Sequence, residues 1–315
     1  MSLFNTVGTE ISGMTLDEAM AKAKLNWTVS KRPVFSLSNI GDNYIGTSKH
    51  FAIARDDNDH ILGIVGTDYQ PIQNSELAYM CERIQGTDVV VETAGSLNGG
   101  ERVWIQMRGN PFGVGPKSDE NIPYCVLTNG HNGMHPLDAL PTTYRVICQN
   151  TLNMALGQAR KNKMMISIKH SGNVQSRIES LYNAIAEFRD RTQKFHSKAD
   201  TLAHRSVNVE FVQKFWTEIY ANMFGDVWEN PTCQDDERDN LKASSVLTKW
   251  SNTFDLESKE SGANLWTAVN AVTHWLDHNQ LYRGKNKTEN RFVDTLYGNG
   301  AKEKIKVFDL ALSYA

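Results

Sequence analysis

His131 and His135, separated by three residues and set among Gly130 and Gly133, form the densest grouping of metal-binding or catalytic residue types in the chain. Cys125 and Cys148 flank them. A structural zinc takes about four nitrogen or sulfur ligands in a tetrahedron, and these residues supply that count. Their spacing matches no common zinc pattern, and both cysteines fall within apolar runs that read as strands. The reading is therefore a Gly-rich, His-bearing loop, with no metal and no cofactor assigned. An H-N-H-type nuclease would need a metal-bound His, a general-base His and a β-β-α setting. Pro136 and Pro141 interrupt the helix that should follow His131. The chain has no P-loop signature, no dinucleotide-binding glycine pattern after a strand and no nucleophile elbow. The carboxylate pairs Asp56/Asp57 and Asp235/Asp236 sit in polar, turn-like runs where water solvates them. These features lean away from an enzyme. A metal-dependent nuclease or hydrolase on His131 and His135 is the least favoured alternative.

Binding of a polyanion is the better-supported chemistry. The formal net charge is −3, but Arg160–Arg205 holds ten Lys/Arg against four Asp/Glu, leaving −9 for the remainder. Such segregation permits a basic face. Its plainer reading is a solvated helical surface. Arg55, Arg102, Arg108 and Arg145 come from separate strands, with Tyr44, Tyr69, Trp104 and Tyr144 near them in sequence. Guanidinium groups fit phosphates, and aromatic faces stack on unpaired bases. Arg145 interrupts the apolar run Tyr144–Cys148, and a charge within a strand must face solvent, a partner or a ligand. The candidate nucleic-acid-binding set is Arg102, Arg145, Lys161, Lys163 and Lys169 on phosphates, with Trp104 and Tyr144 stacking. His131, Asn132 and His135 form the candidate loop at the edge of the groove.

Two kinds of element must position these residues. Thr15 with Glu18 three residues later is a capping box opening a helix over 16–25. Then β structure dominates to about residue 168. "KRPVFSL" is a strand. "YIGTSKHFAIARDDNDHILGIVG" is a strand pair turning at Asp56–Asp59. "QNSELAYMCERI" is a helix capped by Asn74 or Ser75. "DVVVETAGSLNGGERVWIQMRG" is a hairpin with Asn98, Gly99 and Gly100 at its turn. "YCVLTNG", "TTYRVIC" and "KMMISIKH" are further strands, with a helix over 149–158 between the last two. Beyond Gly172 the apolar period becomes helical: Ile178/Leu181/Ile185/Phe188, Val209/Val212/Trp216/Ile219 and Leu265/Val269/Val272/Leu276. The fold class is α+β: an N-terminal antiparallel sheet of hairpins plus helices over 1–172, then an α-helical half over 173–315.

The four cysteines lack CxxC spacing, which suits reduced thiols rather than a disulfide framework. No apolar run approaches the ~18 residues of a membrane span, and the N-terminal stretch lacks the charge-then-apolar order of a secretion signal. A soluble intracellular protein is the expectation.

"GIVGTDYQPIQNSE", "VETAGSLNGGERVWIQMR", "TNGHNGM", "YRVICQNTLNMAL", "IKHSGN", "WTAVNAVTHWLDH" and "YGNGAKEK" occur in this order. The series resembles the phage/plasmid-like protein family, a domain of unknown function found in bacteriophages, prophages and conjugative plasmids. The resemblance covers about Trp27 to Leu312. It departs at one triplet, where the family carries His-Asp-Gly and this chain His131-Asn132-Gly133. The resemblance implies a mobile-element protein in a bacterial host cytoplasm. Hairpins followed by a helix look like the β-β-β-α core of single-strand annealing proteins, which form rings or filaments; this is analogy between folds. The expectation is a homo-oligomeric binder of single-stranded DNA in recombination or replication. The alternative is an anti-defence or regulatory protein that binds a host protein or a small nucleotide.

Overall fold

The computed structural model describes residues 6–84, 89–145, 150–153, 166–172, 188–225, 234–282 and 286–315. These residues form an α+β protein in which strands dominate the first half and helices the second. The chain divides into two compact units, and the division is not a single cut. Unit 1 comprises Met1–Asn110, Tyr124–Pro141 and Asn162–Arg189, and unit 2 comprises Pro111–Pro123, Thr142–Lys161 and Asp190–Ala315. Two long strands, β8 (Asp119–Gly130) and β9 (Leu137–Arg145), each have one end in each unit.

Unit 1 begins with β1 (Thr9–Glu10) and α1 (Leu16–Lys22). Thr15 caps α1 with the full capping box: its side chain accepts from the Glu18 N–H, and its own N–H donates to Glu18 Oε2 at 3.0 Å. Strands β2 (Val29–Leu37), β3 (Tyr44–Arg55) and β4 (Ile61–Gly66) then form a three-stranded antiparallel sheet in that order. Helix α2 (Asn74–Ile84) follows. Its first-turn N–H groups of Glu76 and Leu77 reach the Gln73 carbonyl. Asn74 does not cap α2, because its side chain points to Leu25 and Trp27 instead. Strands β5 (Val89–Leu97) and β6 (Arg102–Gly109) form the expected hairpin. At its turn Gly100 has φ 114°, and a Cβ there would meet the Trp27 ring at 2.9 Å, so only glycine fits. Within unit 1 the second sheet runs β1–β5–β6–β8, and β11 (Ile166–Ile168) pairs with the first half of β9. Leu25, Ile53, Leu77, Val103, Trp104 and Leu127 fill the core.

In unit 2, β7 (Phe112–Val114) pairs with the start of β8, and β10 (Asn150–Asn153) with the end of β9. The helix expected over 149–158 is corrected here: Asn150–Asn153 are a strand registered against Thr142–Arg145. The pairing satisfies backbone groups that a helix start at Gln149 would have left to side chains. Residues 154–158 lie outside the described residues, as do Ile178, Leu181 and Ile185. The helices are α3 (Phe188–His204), α4 (Val209–Phe224), α5 (Gln234–Ser261), α6 (Leu265–His274, continued by a π turn over Trp275–Asn279), α7 (Lys287–Leu296) and α8 (Asn299–Ser313). Their core is aromatic. Phe195 stacks on Phe308 with centroids 5.3 Å apart, and Trp216 donates to the Ala268 carbonyl at 3.1 Å. Each such side chain contributes about 1.5–3 kcal/mol by leaving water. Among the described residues no helix is long and apolar enough to cross a membrane.

Candidate functional site

In unit 1, three sequence-distant stretches meet on one short strap, Tyr69–Asn74. His170 holds its first part: the Gln70 N–H donates to the His170 carbonyl at 2.7 Å, and His170 Nδ1 contacts the Gln70 carbonyl at 3.1 Å. Asn129 Nδ2 donates to the Ile72 carbonyl at 2.9 Å. His131 Nε2 lies 2.9 Å from Asn74 Oδ1. Asn74 uses both amide hydrogens on the carbonyls of Leu25 and Trp27. Its oxygen can therefore only accept, so His131 carries its proton on Nε2. By the same reasoning His170 carries its proton on Nδ1. Burial holds His131 neutral, with its pKa lowered to about 3, helped by the nearby His170 and Arg55. His170 is lowered too, by burial.

Around these histidines, Tyr69 stacks on His170 at 4.8 Å and donates its hydroxyl to the Gly130 carbonyl at 2.9 Å. The His131 ring sits 5.3 Å from Trp27, which also carries the Arg55 guanidinium at 4.3 Å. Asn132 donates to Glu101 and accepts from the Met134 N–H. His135 contacts Arg102. Burial raises the Asp138 carboxyl to about 6, against a hydrogen bond from Ser167 that lowers it. Among the described residues no three His, Cys, Asp or Glu side chains gather as a metal-ligand set. Cys125 is a buried free thiol, and Cys148 lies outside the described residues.

The residues singled out in the sequence are dispersed. Trp104 is wholly buried in β6, and Arg102 is 8% exposed. Neither presents a face to a strand of nucleic acid. Arg145, 2% exposed, sits in the interior of unit 2, paired with Asp119 and Glu257 and donating to Ser261 Oγ at 2.9 Å. Trp266 Nε1 donates to the same Asp119 oxygen at 2.8 Å. The charge inside "TYRVIC" has thus met buried carboxylates. Tyr144 is half-buried on β9, and Lys169 is exposed after β11. Lys161 and Lys163 lie outside the described residues. Arg55 and Arg108 sit beside Asp57 and Glu92.

The basic run does build one ordered feature, on α3. Arg191, Lys194 and Lys198 follow at intervals of three and four and so share a helix face. Arg205, just past the end of the helix and seven residues beyond Lys198, rests over the Phe211 ring at 5.3 Å. Lys194 and Arg205 are exposed, Arg191 and Lys198 half-buried. The helix carries two acids: Asp190, beside Arg191 and one turn before Lys194, and Asp200, which is turned to the Gly115 N–H at 2.8 Å and to His204. From Arg191 to Lys198 the stripe covers about two turns, or ~10 Å of helix axis. Its signal in the sequence was the three-four spacing, which a count of charges alone does not show.

A family model described as a domain of unknown function, DUF932, matches residues 61–296. That span takes in the strap, the His131 loop, His170, the Arg145 pairing and the α3 stripe. No curated protein and no solved structure matches the chain.

Proposed function

The chain belongs to the DUF932 family, and from that premise we propose that it binds single-stranded nucleic acid through phosphate contacts along α3. The observation that carries this reading is the stripe of Arg191, Lys194, Lys198 and Arg205. Lys194 and Lys198 make no ion pair with any described residue. Three cations on one side of a helix, followed by Arg205 just past its end and outnumbering Asp190 beside them, track a run of phosphates without reading bases. The ordered motifs of the phage/plasmid resemblance set the context: DNA recombination or replication of a mobile element. The antiparallel order β2–β3–β4 followed by α2 supports it as analogy with annealing proteins. The chemistry is binding; no step of bond-making is assigned.

Fluorescence anisotropy with labelled single- and double-stranded oligonucleotides tests this. About four phosphate contacts predict a roughly 50-fold loss of single-strand affinity between ~50 and ~200 mM salt. Lys194→Glu with Lys198→Glu should remove most binding while leaving the circular dichroism spectrum unchanged. Salt-independent binding, or none at micromolar protein, defeats the reading.

A further inference from the structure

The sheet β2–β3–β4 runs out into a two-stranded ribbon. β4 pairs only with His50–Ala54, so Val34–Leu37 and Tyr44–Thr47 pair with each other and with no third strand among the described residues. Phe35 is 57% exposed, Leu37 64%, Tyr44 76%, Ile45 58% and Ile40, in the connecting loop, 88%. Isolated two-stranded ribbons are marginal in water, and concentrated apolar exposure marks an interaction surface. The chemistry of the occupant follows from charge. Pro33–Ser48 contains no Lys or Arg and one carboxylate, Asp42. A polyanion gains nothing there, whereas an identical copy meets almost no repulsion.

Backbone geometry singles out one edge. The Ser38 N–H donates to the Asn43 carbonyl at 2.8 Å. Antiparallel alternation then makes Ser36/Ile45 and Val34/Thr47 the hydrogen-bonded pairs. The N–H and C=O groups of Phe35 and Leu37 therefore point outward from β2. The opening is short. The Gln73 side chain already occupies the backbone of Val29, at 3.0 and 2.9 Å, and Pro33 has no N–H. On the other edge of the ribbon, a strand laid beside Tyr44–Thr47 would run into β4.

We infer that two copies of this chain join antiparallel along β2, with Phe35 of each opposite Leu37 of the other about a two-fold axis at Ser36. The pairing is self-complementary: the outward groups of Phe35 and Leu37 exchange N–H···O bonds with the same groups of the second copy. Phe35, Leu37 and Tyr44 lie on one ribbon face, since Phe35 opposes Gly46 and Leu37 opposes Tyr44. Pairing merges the two faces into one apolar strip. At the exposures seen, Phe35, Leu37 and Tyr44 leave roughly 400 Å² open per chain on this face, about half of the ~800 Å² per partner in a standard interface.

The test is light scattering of the full chain at about 10–100 μM, without nucleic acid, so its outcome is separate from the α3 reading. A dimer is expected. Phe35→Lys with Leu37→Lys should give a monomer with unchanged circular dichroism and thermal midpoint. Ser36→Cys should form a disulfide-linked dimer on mild oxidation, since an opposed non-hydrogen-bonded pair sets Cα atoms about 4.5 Å apart, within disulfide reach. Asn39→Cys, three residues along, and the wild type should not cross-link. A wild-type monomer at ~100 μM overturns the inference. So does a dimer that survives the double lysine variant, or one in which Ser36→Cys fails to cross-link.

Discussion

The interiors of the two units solve the same problem with opposite chemistry. In unit 1 the deepest polar contacts join neutral groups, His131 on Asn74, Asn129 on Ile72 and Thr93 on Gln106, with Arg102 and Asp138 as its buried charged residues. Unit 2 buries neutral groups too, and adds ion pairs that are almost wholly buried: Arg145 between Asp119 and Glu257, and Lys304 on Asp277 at 2.8 Å. Neutral pairs tie a strap to the sheet at modest desolvation. Ion pairs stand only while both partners remain, because an unpaired charge in a low-dielectric interior is expensive. Unit 1 should therefore tolerate single losses that unit 2 does not.

The largest expected effect is at Arg145. Replacement by Leu removes the guanidinium from Asp119 and Glu257 and leaves Trp266 donating to Asp119 alone. A loss of about 3–5 kcal/mol follows, read as a fall in the urea midpoint of a transition followed by tryptophan fluorescence. A loss below ~1 kcal/mol would mean the network is solvated and the contrast is false. Next is Asn74→Ala in unit 1. It unpairs His131 Nε2 and the carbonyls of Leu25 and Trp27 and should cost about 2–3 kcal/mol. If it costs more than Arg145→Leu, the ranking of the two interiors is reversed.

Acid sharpens the comparison further. The folded pKa of His131 is depressed to about 3 from 6.5. Its contribution to stability is thus full above pH 6.5 and is lost as pH falls from there toward about 3. Asp138 runs the other way: its folded pKa is raised from 3.8 to about 6, so its contribution is full below pH 3.8 and is lost as pH rises through about 6. On these two groups the larger shift wins narrowly, and stability should drop by about 1 kcal/mol between pH 7 and pH 4. His131→Gln should reverse that slope, leaving the Asp138 gain of about 2 kcal/mol on acidification. Chemical denaturation at the two pH values measures it, and an unchanged slope in the variant would assign the acid response elsewhere.

The sequence disclosed local structure well because local rules are short-ranged. Thr15/Glu18 announced α1, and Asn98–Gly100 announced the β5–β6 turn. Apolar period separated the sheet from the helices. It failed where tertiary pairing decides. Asn150–Asn153 follow a strand closely enough to fold back on it, and this overrode helical propensity. Asn74 looked like a cap because capping is the local use of Asn; its actual partners are Leu25, Trp27 and His131, and no local rule finds those. Arg145 was rightly marked as needing a partner. Glu257 lies 112 residues away, and sequence alone could not separate it from a phosphate. The α3 stripe was legible as charge but not as a face until the helix was placed.

The smallest expected net effect, that of a paired replacement, is the most discriminating. Lys304 is fully buried, and its ammonium sits on Asp277. Lys304→Met alone should leave Asp277 as an uncompensated carboxylate and destabilise unit 2 by about 3 kcal/mol. Adding Asp277→Leu removes both desolvation penalties at once, and the pair of changes should land within about 1 kcal/mol of the wild type. The matching cycle in unit 1, Asn74→Leu with His131→Phe, cannot recover in this way. Asn74 also serves two backbone carbonyls, and these stay unpaired whatever replaces His131. A double-mutant cycle on each pair, by denaturant unfolding, should therefore show strong coupling between Lys304 and Asp277 and weak coupling between Asn74 and His131. Equal coupling in the two units would mean that charge is not what distinguishes their interiors.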